Sequence, residues 1–533
     1  SSFLFRIHKD IISLKSSNWC IVHCTKTSVL LLMNLRMPTP RQLFYICGIS
    51  TLITVMLYFY RNEVQKLKTH LTSSGLGRDT IPSDIRVTSF KHVIFHVVNE
   101  KSPFIVGDTL DMEIIARDCN NVTINRGGDI FSLVLVSHET RHAMSGRVVD
   151  HGDGTYTSHF PLYWEGTVYI EGWLLMSSAV TDYLKTVQQR NYVLTEWTKS
   201  ALYEAKGRSV SVSCDLQEMA DTVTDFCDLT AFNGMEPWYC PKVPDFPCGS
   251  FALFRKSIDL PEDYDKYQHL LNVSTWSIDR QLSPLKVNVI GNPKFSLEAV
   301  PSQCPLGVQD TYPAGYFQNQ KWISRLCQLK EYSDLNFTSC LSGKHFVFFG
   351  DSNAYRMKDV FVNAVGRLRQ QQNIQTKVQY IPLGHGVLRW PRPGFWLASM
   401  EYVLMHPKED VSVIFLSVWA HFTFHTRSKI LSIFLRLKSL LLNWKARYPH
   451  VQIFLRSPHY RNTGSTTPSH IFSANNWGSE LSYKLFNLVF KNTPFHIINI
   501  WDMVISWRGA YNIHPHDQVV SESLKMFFSR LCH

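Results

Sequence analysis

Two short polar clusters in the 533-residue chain have the makings of a nucleophile and its base. The first is Gly350-Asp351-Ser352, which ends the apolar run His345-Phe346-Val347-Phe348-Phe349. The second is His514 in Tyr511-Asn512-Ile513-His514-Pro515-His516-Asp517, close to the chain's end. A serine hydroxyl is a weak nucleophile and needs a base within hydrogen-bond reach, usually a histidine oriented by a third group. Ser352 is then the nucleophile and His514 the base. Asp502, in Trp501-Asp502-Met503, is the candidate to orient it, with Asp517 the other local carboxylate. Oxyanion donors would be the Ser352 amide and the amides of Gly384 or Gly386 in Leu383-Gly384-His385-Gly386, with His421 of Trp419-Ala420-His421-Phe422 near them in role. The plain alternative is an ordinary strand-to-turn junction and a solvent-exposed loop histidine.

These residues need a scaffold that brings strand ends together. A short Phe-rich run bounded by Gly350 suits a buried strand, and Gly350 lets the backbone turn tightly after it. From about Gln303, strand candidates at Phe346–Phe349, Val411–Val418, Val451–Leu455 and Phe495–Trp501 alternate with helical stretches. In Ser428–Tyr448 the apolar Ile430, Leu431, Phe434, Leu437, Leu440 and Leu441 recur at helical spacing, and Val519–Arg530 reads as a C-terminal helix. Alternating strands and helices predict a parallel α/β sheet with functional residues at the strand carboxyl ends.

The preceding part has a different period. Leu110, Met112, Ile114 and Ala116 alternate with mostly polar residues, Phe131–Val136 and Thr167–Leu175 are further strands, and Gly146–Thr157 is a hairpin turning at Asp153-Gly154. Short strands between Gly and Asp turns predict an immunoglobulin-like β-sandwich over 85–250. Its irregular stretch Asp215–Pro247, framed by Cys214 and Cys248, reads as a disulfide-stapled extension. Residues 251–302 are a connector to the α/β domain at 303–533.

Composition places the chain in a compartment. A hydrophobic share of 45% and a charged share of 18% describe a folded protein, and its length requires more than one core. The net charge of +11 is spread out, so nucleic acid is not an expected partner; acidic glycans or membrane surfaces fit it better. Leu43–Tyr60 holds no charge and lies between Arg41 and Arg61, which makes residues 43–60 a transmembrane signal anchor followed by a polar stem, 61–84. Sequons at Asn121, Asn272 and Asn336 and nine cysteines all follow the anchor, favouring a lumenal C-terminal portion and a type II membrane protein of the secretory pathway. Nine is odd, so at least one cysteine is unpaired or intermolecular, and the absence of C-x-x-C spacing argues against zinc. Residues 1–42 form a cytoplasmic tail. Met37 before Pro-Thr-Pro-Arg reads as the natural start, with 1–36 an upstream extension; an extended tail is the alternative.

The motifs also carry a family resemblance. Val106-Gly107-Asp108-Thr109-Leu110, Ala116-Arg117-Asp118, Gly128-Asp129, Gly146–Tyr156, Phe160-Pro161-Leu162-Tyr163-Trp164-Glu165-Gly166 and Glu236-Pro237-Trp238-Tyr239-Cys240 resemble a neurexophilin domain. The portion with Gly350-Asp351-Ser352 and Asn512-Ile513-His514-Pro515 is similar to a PC-esterase domain, a relative of the SGNH hydrolases. The resemblance to the neurexophilin and PC-esterase domain (NXPE) family covers the chain from about Ser89 onward. It implies a three-layer α/β domain, acyl-ester chemistry on glycans with Ser352 and His514 as the catalytic pair, and a site role for Arg356. For an anchored secretory member it points to O-acetylation of sialic acids on glycoproteins in the Golgi, with acetyl-CoA as acyl donor and no bound cofactor. Many relatives carry Asp three residues before the catalytic histidine, where Tyr511 stands here, leaving a Ser-His dyad or a role for Asp502. An inactive protein whose sandwich binds a receptor or glycan is the second class of function.

Overall fold

Period-two alternation in the first half folds into a curled sheet. The computed structural model describes residues 86–101, 103–189, 200–214, 225–228, 239–254, 263–271, 282–331, 337–372, 374–382, 410–423, 425–461, 472, 474–509 and 512–532. Its strands begin with β1 (Ile94–Val97), β2 (Phe104–Ile105), β3 (Thr109–Ile115), β4 (Ile130–Ser137), β5 (His142–Asp150), β6 (Thr155–Pro161) and β7 (Gly166–Met176), followed by helix α1 (Ser178–Gln189). In β3 the alternate residues Leu110, Met112 and Ile114 are fully buried, as the pattern predicts.

An immunoglobulin-like sandwich would have two separate sheets, and here the two halves are continuous. His142–Gly146 of β5 pairs with β4, and Arg147–Asp150 pairs with β6. Gly146 sits at the changeover, where a Cβ would lie 2.4 Å from the Phe160 ring. One strand thus serves both halves, and the sheet curls over a core that includes Leu110, Met112, Leu133, Tyr156, Phe160 and Ile170. Asp129, buried at one edge, accepts hydrogen bonds from Thr88 Oγ1 (2.7 Å), Tyr156 OH (3.0 Å) and the Ser178 amide (2.5 Å). These motif residues hold the fold together.

The next strands are β8 (Ser200–Ala205), β9 (Arg208–Ser213), β10 (Phe226–Asp228), β11 (Tyr239–Pro241) and β12 (Phe251–Phe254), followed by α2 (Tyr264–Leu271), β13 (Leu285–Ile290), β14 (Gly315–Gln318) and β15 (Lys321–Ser324). The stretch read as a connector supplies β13, which joins the curled sheet against β7 and β2. The β14–β15 hairpin joins it too, through β5.

The second half is the expected parallel sheet. After α3 (Phe337–Leu341) come β16 (His345–Gly350), α4 (Ser352–Gln372), β17 (Lys377–Pro382), β18 (Val411–Ser417), α5 (Arg427–Arg447), β19 (Gln452–Arg456), α6 (Asn476–Phe490), β20 (His496–Ile498), α7 (Trp501–Ser506) and α8 (Asp517–Leu531). The strand order is β17-β16-β18-β19-β20, and every pairing is parallel. Phe361 of α4 packs on Phe346 and Phe348, and Phe527 of α8 on Phe415 and Phe454. Val347 and Phe349, which point the other way, are also buried, so both faces of β16 are covered. Within this sheet the order reads 2-1-3-4-5. The reversal of winding between β16 and β18 opens the crevice where such sheets take ligands.

Among the described residues, four disulfides staple the chain: Cys214–Cys240, Cys227–Cys248, Cys304–Cys327 and Cys340–Cys532. The first two interlock, with Cys227 and Cys240 side by side in the β10–β11 ladder. Disulfides of this density belong to a protein matured in an oxidising compartment. No helix among the described residues is long and apolar enough to cross a membrane; the tail, the anchor at 43–60 and the stem at 61–84 lie outside them. Among the described residues, Cys119, exposed, is the free cysteine. Peptide mapping of the secreted portion without reduction should therefore recover these four pairs and find Cys119 alkylated. Recovery of Cys119 in a disulfide within the chain would contradict the fold.

Candidate active site

Ser352 sits where the topology puts a ligand crevice, at the first residue of α4 just past the end of β16. The turn that presents it is tight. Gly350 has φ +143°, and a Cβ there would lie 1.9 Å from the Ser417 carbonyl oxygen of the neighbouring strand. The Asp351 amide donates to that same carbonyl at 2.9 Å, and Tyr380 OH donates to the Gly350 carbonyl at 3.0 Å. Asp351, 1% exposed, turns its carboxylate inward. Oδ1 accepts from Ser417 Oγ (3.1 Å) and the Asn353 amide (2.9 Å), and Oδ2 from the Ala420 amide (3.0 Å). The middle residue of the motif is thus a clamp between β16 and the turn after β18.

His514 reaches this turn from the loop before α8. Its Nε2 lies 2.7 Å from Ser352 Oγ, the separation a general base needs to take the hydroxyl proton. The Ser352 amide opens the first turn of α4 and makes no hydrogen bond among the described residues, so it is free to donate to an oxyanion. His516, two residues on, caps α8 by accepting from the Gln518 amide at 3.1 Å and stacks on Trp507. The two neighbouring histidines therefore differ in role.

The electrostatic setting of His514 is unusual for a base. Burial first, then the Arg356, Arg456 and Arg461 guanidiniums, push its pKa down to about 4, against the opposing pull of Asp351. No carboxylate among the described residues hydrogen-bonds to the imidazole. Asp502 does not orient it. That residue lies in α7 rather than at the end of a strand, and its Oδ2 accepts from the Ala314 amide at 2.8 Å beside the β14–β15 hairpin. Burial there holds its carboxyl above the usual range. Asp517 pairs instead with Arg356. His421 lies in the turn whose Ala420 amide holds Asp351. Gly384, Gly386 and Tyr511, and the sequons' Asn272 and Asn336, lie outside the described residues; Asn121 is exposed in a turn after β3.

Residues that sequence reading passed over complete the site. They come from Arg456-Ser457-Pro458-His459-Tyr460-Arg461, which leaves the end of β19. His459 is fully buried, with Nδ1 2.7 Å from the Tyr460 carbonyl and Nε2 3.3 Å from the Asn353 side-chain amide. Burial, followed by Arg456, keeps it neutral. Arg461 donates to the Ala420 carbonyl and lies 4.6 Å over the Trp419 ring. The signal was available: a basic run at the carboxyl end of a parallel strand falls on the ligand edge of the sheet.

Against known proteins, residues 399–532 match the model of the NXPE family member 4-like, C-terminal domain. The matched stretch includes His514, Arg456 and Arg461, while Ser352 reaches the site from upstream of it. Solved structures similar to the chain include a GDSL-like lipase from Parabacteroides merdae, at 11% identity and TM-score 0.25, covering 36% of this chain and 96% of that one. Another is the lipase Lip_vut3 from a goat rumen metagenome, at 12% identity and TM-score 0.23, covering 36% and 99%. A GDSL-like lipase from Bacteroides ovatus gives 14% identity and TM-score 0.23, covering 35% and 52%.

The site geometry makes two predictions. His514 is neutral above its pKa and able to accept a proton. The acid limb of kcat/KM for a neutral ester such as 4-nitrophenyl acetate should therefore fall near pH 4, not near the unperturbed value of about 6.5. A limb at the ordinary position would mean that neither burial nor the guanidiniums depress His514. Separately, Gly350→Ala must push β16 away from the Ser417 carbonyl. Denaturant unfolding should show a loss of roughly 1–3 kcal/mol, with loss of any Ser352-dependent turnover.

Proposed function

We propose that the chain is a serine-dependent O-acyltransferase or esterase of the secretory pathway that acts on glycans. Its sharpest substrate is the sialic acid of glycoproteins, to which it adds, or from which it removes, an acetyl group. The observation that carries this reading is the 2.7 Å contact between Ser352 Oγ and His514 Nε2 at the switch point of a parallel sheet. His514 takes the proton as Ser352 Oγ attacks the acyl carbon, and the Ser352 amide stabilises the oxyanion of the tetrahedral intermediate. Collapse of that intermediate expels the donor's leaving group, which receives the proton from His514, and leaves acyl-Ser352. A sugar hydroxyl or a water then gives its proton to His514 and attacks the acyl carbon, and Ser352 departs with that proton. A sugar acceptor gives transfer and water gives hydrolysis. Acetyl-CoA is the donor in the transfer direction, delivered to a Golgi lumen that the chain faces from a single anchor at 43–60.

The bare imidazole favours a second reading. With no carboxylate on His514 and its pKa pushed down to about 4, the chain could instead be a neurexophilin-like binding protein whose curled sheet engages a receptor. Ser352→Ala separates the two. On the catalytic reading, the purified lumenal portion given acetyl-CoA and a sialoglycan yields acetylated product. The variant, folded and exported normally, loses at least about a thousandfold of that rate. Equal sialic-acid acetylation in cells carrying either form would leave the binding reading standing.

A further inference from the structure

A buried guanidinium without a partner lies against the Ser352 site. Arg456 is the last residue of β19, level with Ile498 of β20, at the same sheet edge that carries Ser352. It shares the face of Phe454, two residues earlier, which packs 4.4 Å from Phe527 of α8; α4, headed by Ser352, packs against that helix. Arg456 is 3% exposed and has neither a hydrogen bond nor an ion pair among the described residues. Its neighbours are already engaged. Arg356 pairs with Asp517, and Arg461 holds the Ala420 carbonyl and the Trp419 ring. Asp351, the nearby carboxylate, has its oxygens occupied by Ser417, Asn353 and Ala420. Burying an unpaired charge is expensive, and native proteins pair such groups or use them.

We infer that Arg456 binds an anionic group of the substrate, a carboxylate, beside the acyl group that Ser352 handles. The inference rests on the acyl-ester reading of this site and assigns the residue that selects the substrate class. A guanidinium fork matches a carboxylate in two parallel hydrogen bonds, and the low exposure of Arg456 strengthens both. Burial lowers the Arg456 pKa only to about 10, so it stays charged at neutral pH. A bound carboxylate would also offset the cationic field that weakens His514, giving an acidic substrate a stronger base than a neutral one meets. Selectivity should then appear in kcat as well as in KM.

The test compares acetate release from O-acetylated N-acetylneuraminic acid and from its carboxyl methyl ester, which removes the charge and keeps the sugar. Wild-type protein should prefer the free acid in kcat/KM by about tenfold or more, the scale of one charged hydrogen-bond pair. Arg456→Met should bring the ratio close to one, and Arg456→Lys should retain part of it. A purely structural role, neutralising Asp351, would change both substrates alike. A wild-type ratio near one, or a preference that survives Arg456→Met, overturns the assignment. If neither Ser352-dependent release from any ester nor Ser352-dependent transfer from acetyl-CoA is found, the acyl-ester reading fails by itself. Calorimetric binding of free N-acetylneuraminic acid then decides the anion site: about tenfold weaker binding by Arg456→Met supports it, and equal or no binding by the wild-type protein overturns it.

Discussion

The carboxylate of Asp351 is the constraint on which the site depends. It is buried, and its oxygens take hydrogen bonds from Ser417 Oγ, from the Ala420 amide and from the Asn353 amide in the first turn of α4. A buried charged acceptor with these donors fixes the end of β16, the turn after β18 and the start of α4 against one another, because losing any donor leaves charge unsolvated. Gly350 makes the close approach possible by placing no Cβ against the Ser417 carbonyl. The backbone that carries Ser352 is therefore placed by its neighbour's hydrogen bonds, and the Ser352 hydroxyl's own contact goes to His514. In the Gly-Asp-Ser motif, the glycine and aspartate build the position and the serine uses it.

The same region explains an otherwise awkward base. A triad supplies a fixed negative charge to the imidazolium that forms as the nucleophile attacks. Here the charges acting on His514 are three guanidiniums and one carboxylate, and that carboxylate is committed to the backbone clamp. The imidazole is thus reliably neutral and ready to accept a proton, yet the imidazolium it becomes is penalised. On the acyl-ester reading proposed above, two negative charges would offset that penalty, the oxyanion on the reacting carbon and a charge on the substrate itself. Asp502 supplies neither, since it serves the Ala314 amide near the curled sheet.

Much of this was legible in the residues, for identifiable reasons. Short apolar runs bounded by glycine and long amphipathic stretches are local signals. Accordingly β16 and β18 lie where Phe346–Phe349 and Val411–Val418 were expected, and α5 runs Arg427–Arg447 beside the expected Ser428–Tyr448. The meeting of Ser352 and His514 was legible because both sit at the ends of such elements. The role of Asp502 was misread because an apolar run through Trp501 looks like one strand, whereas β20 stops at Ile498 and Trp501 opens α7, turning the carboxylate elsewhere. The sharing of β5 between the two halves of the curled sheet left no mark, since alternation fixes a strand's buried face and not its partners. Arg456 was passed over because a basic residue ending a strand resembles a solvated one until its burial is known.

The curled sheet also has a part in positioning the base. His514 lies between α7 and α8, and the packing of those two helices frames it. Before it, Trp507 at the end of α7 packs 5.4 Å from Phe317 of β14, and Arg508 pairs with Glu171 of β7. After it, Glu522 of α8 accepts from the Trp322 amide of β15 at 3.0 Å, and Gln518 donates to the Gln320 carbonyl at 3.1 Å. Both flanks of the His514 loop are thus fastened to strands β7, β14 and β15, which belong to the curled sheet, while Ser352 is fastened to the parallel one. The distance between nucleophile and base is therefore a property of the packing between the two sheets.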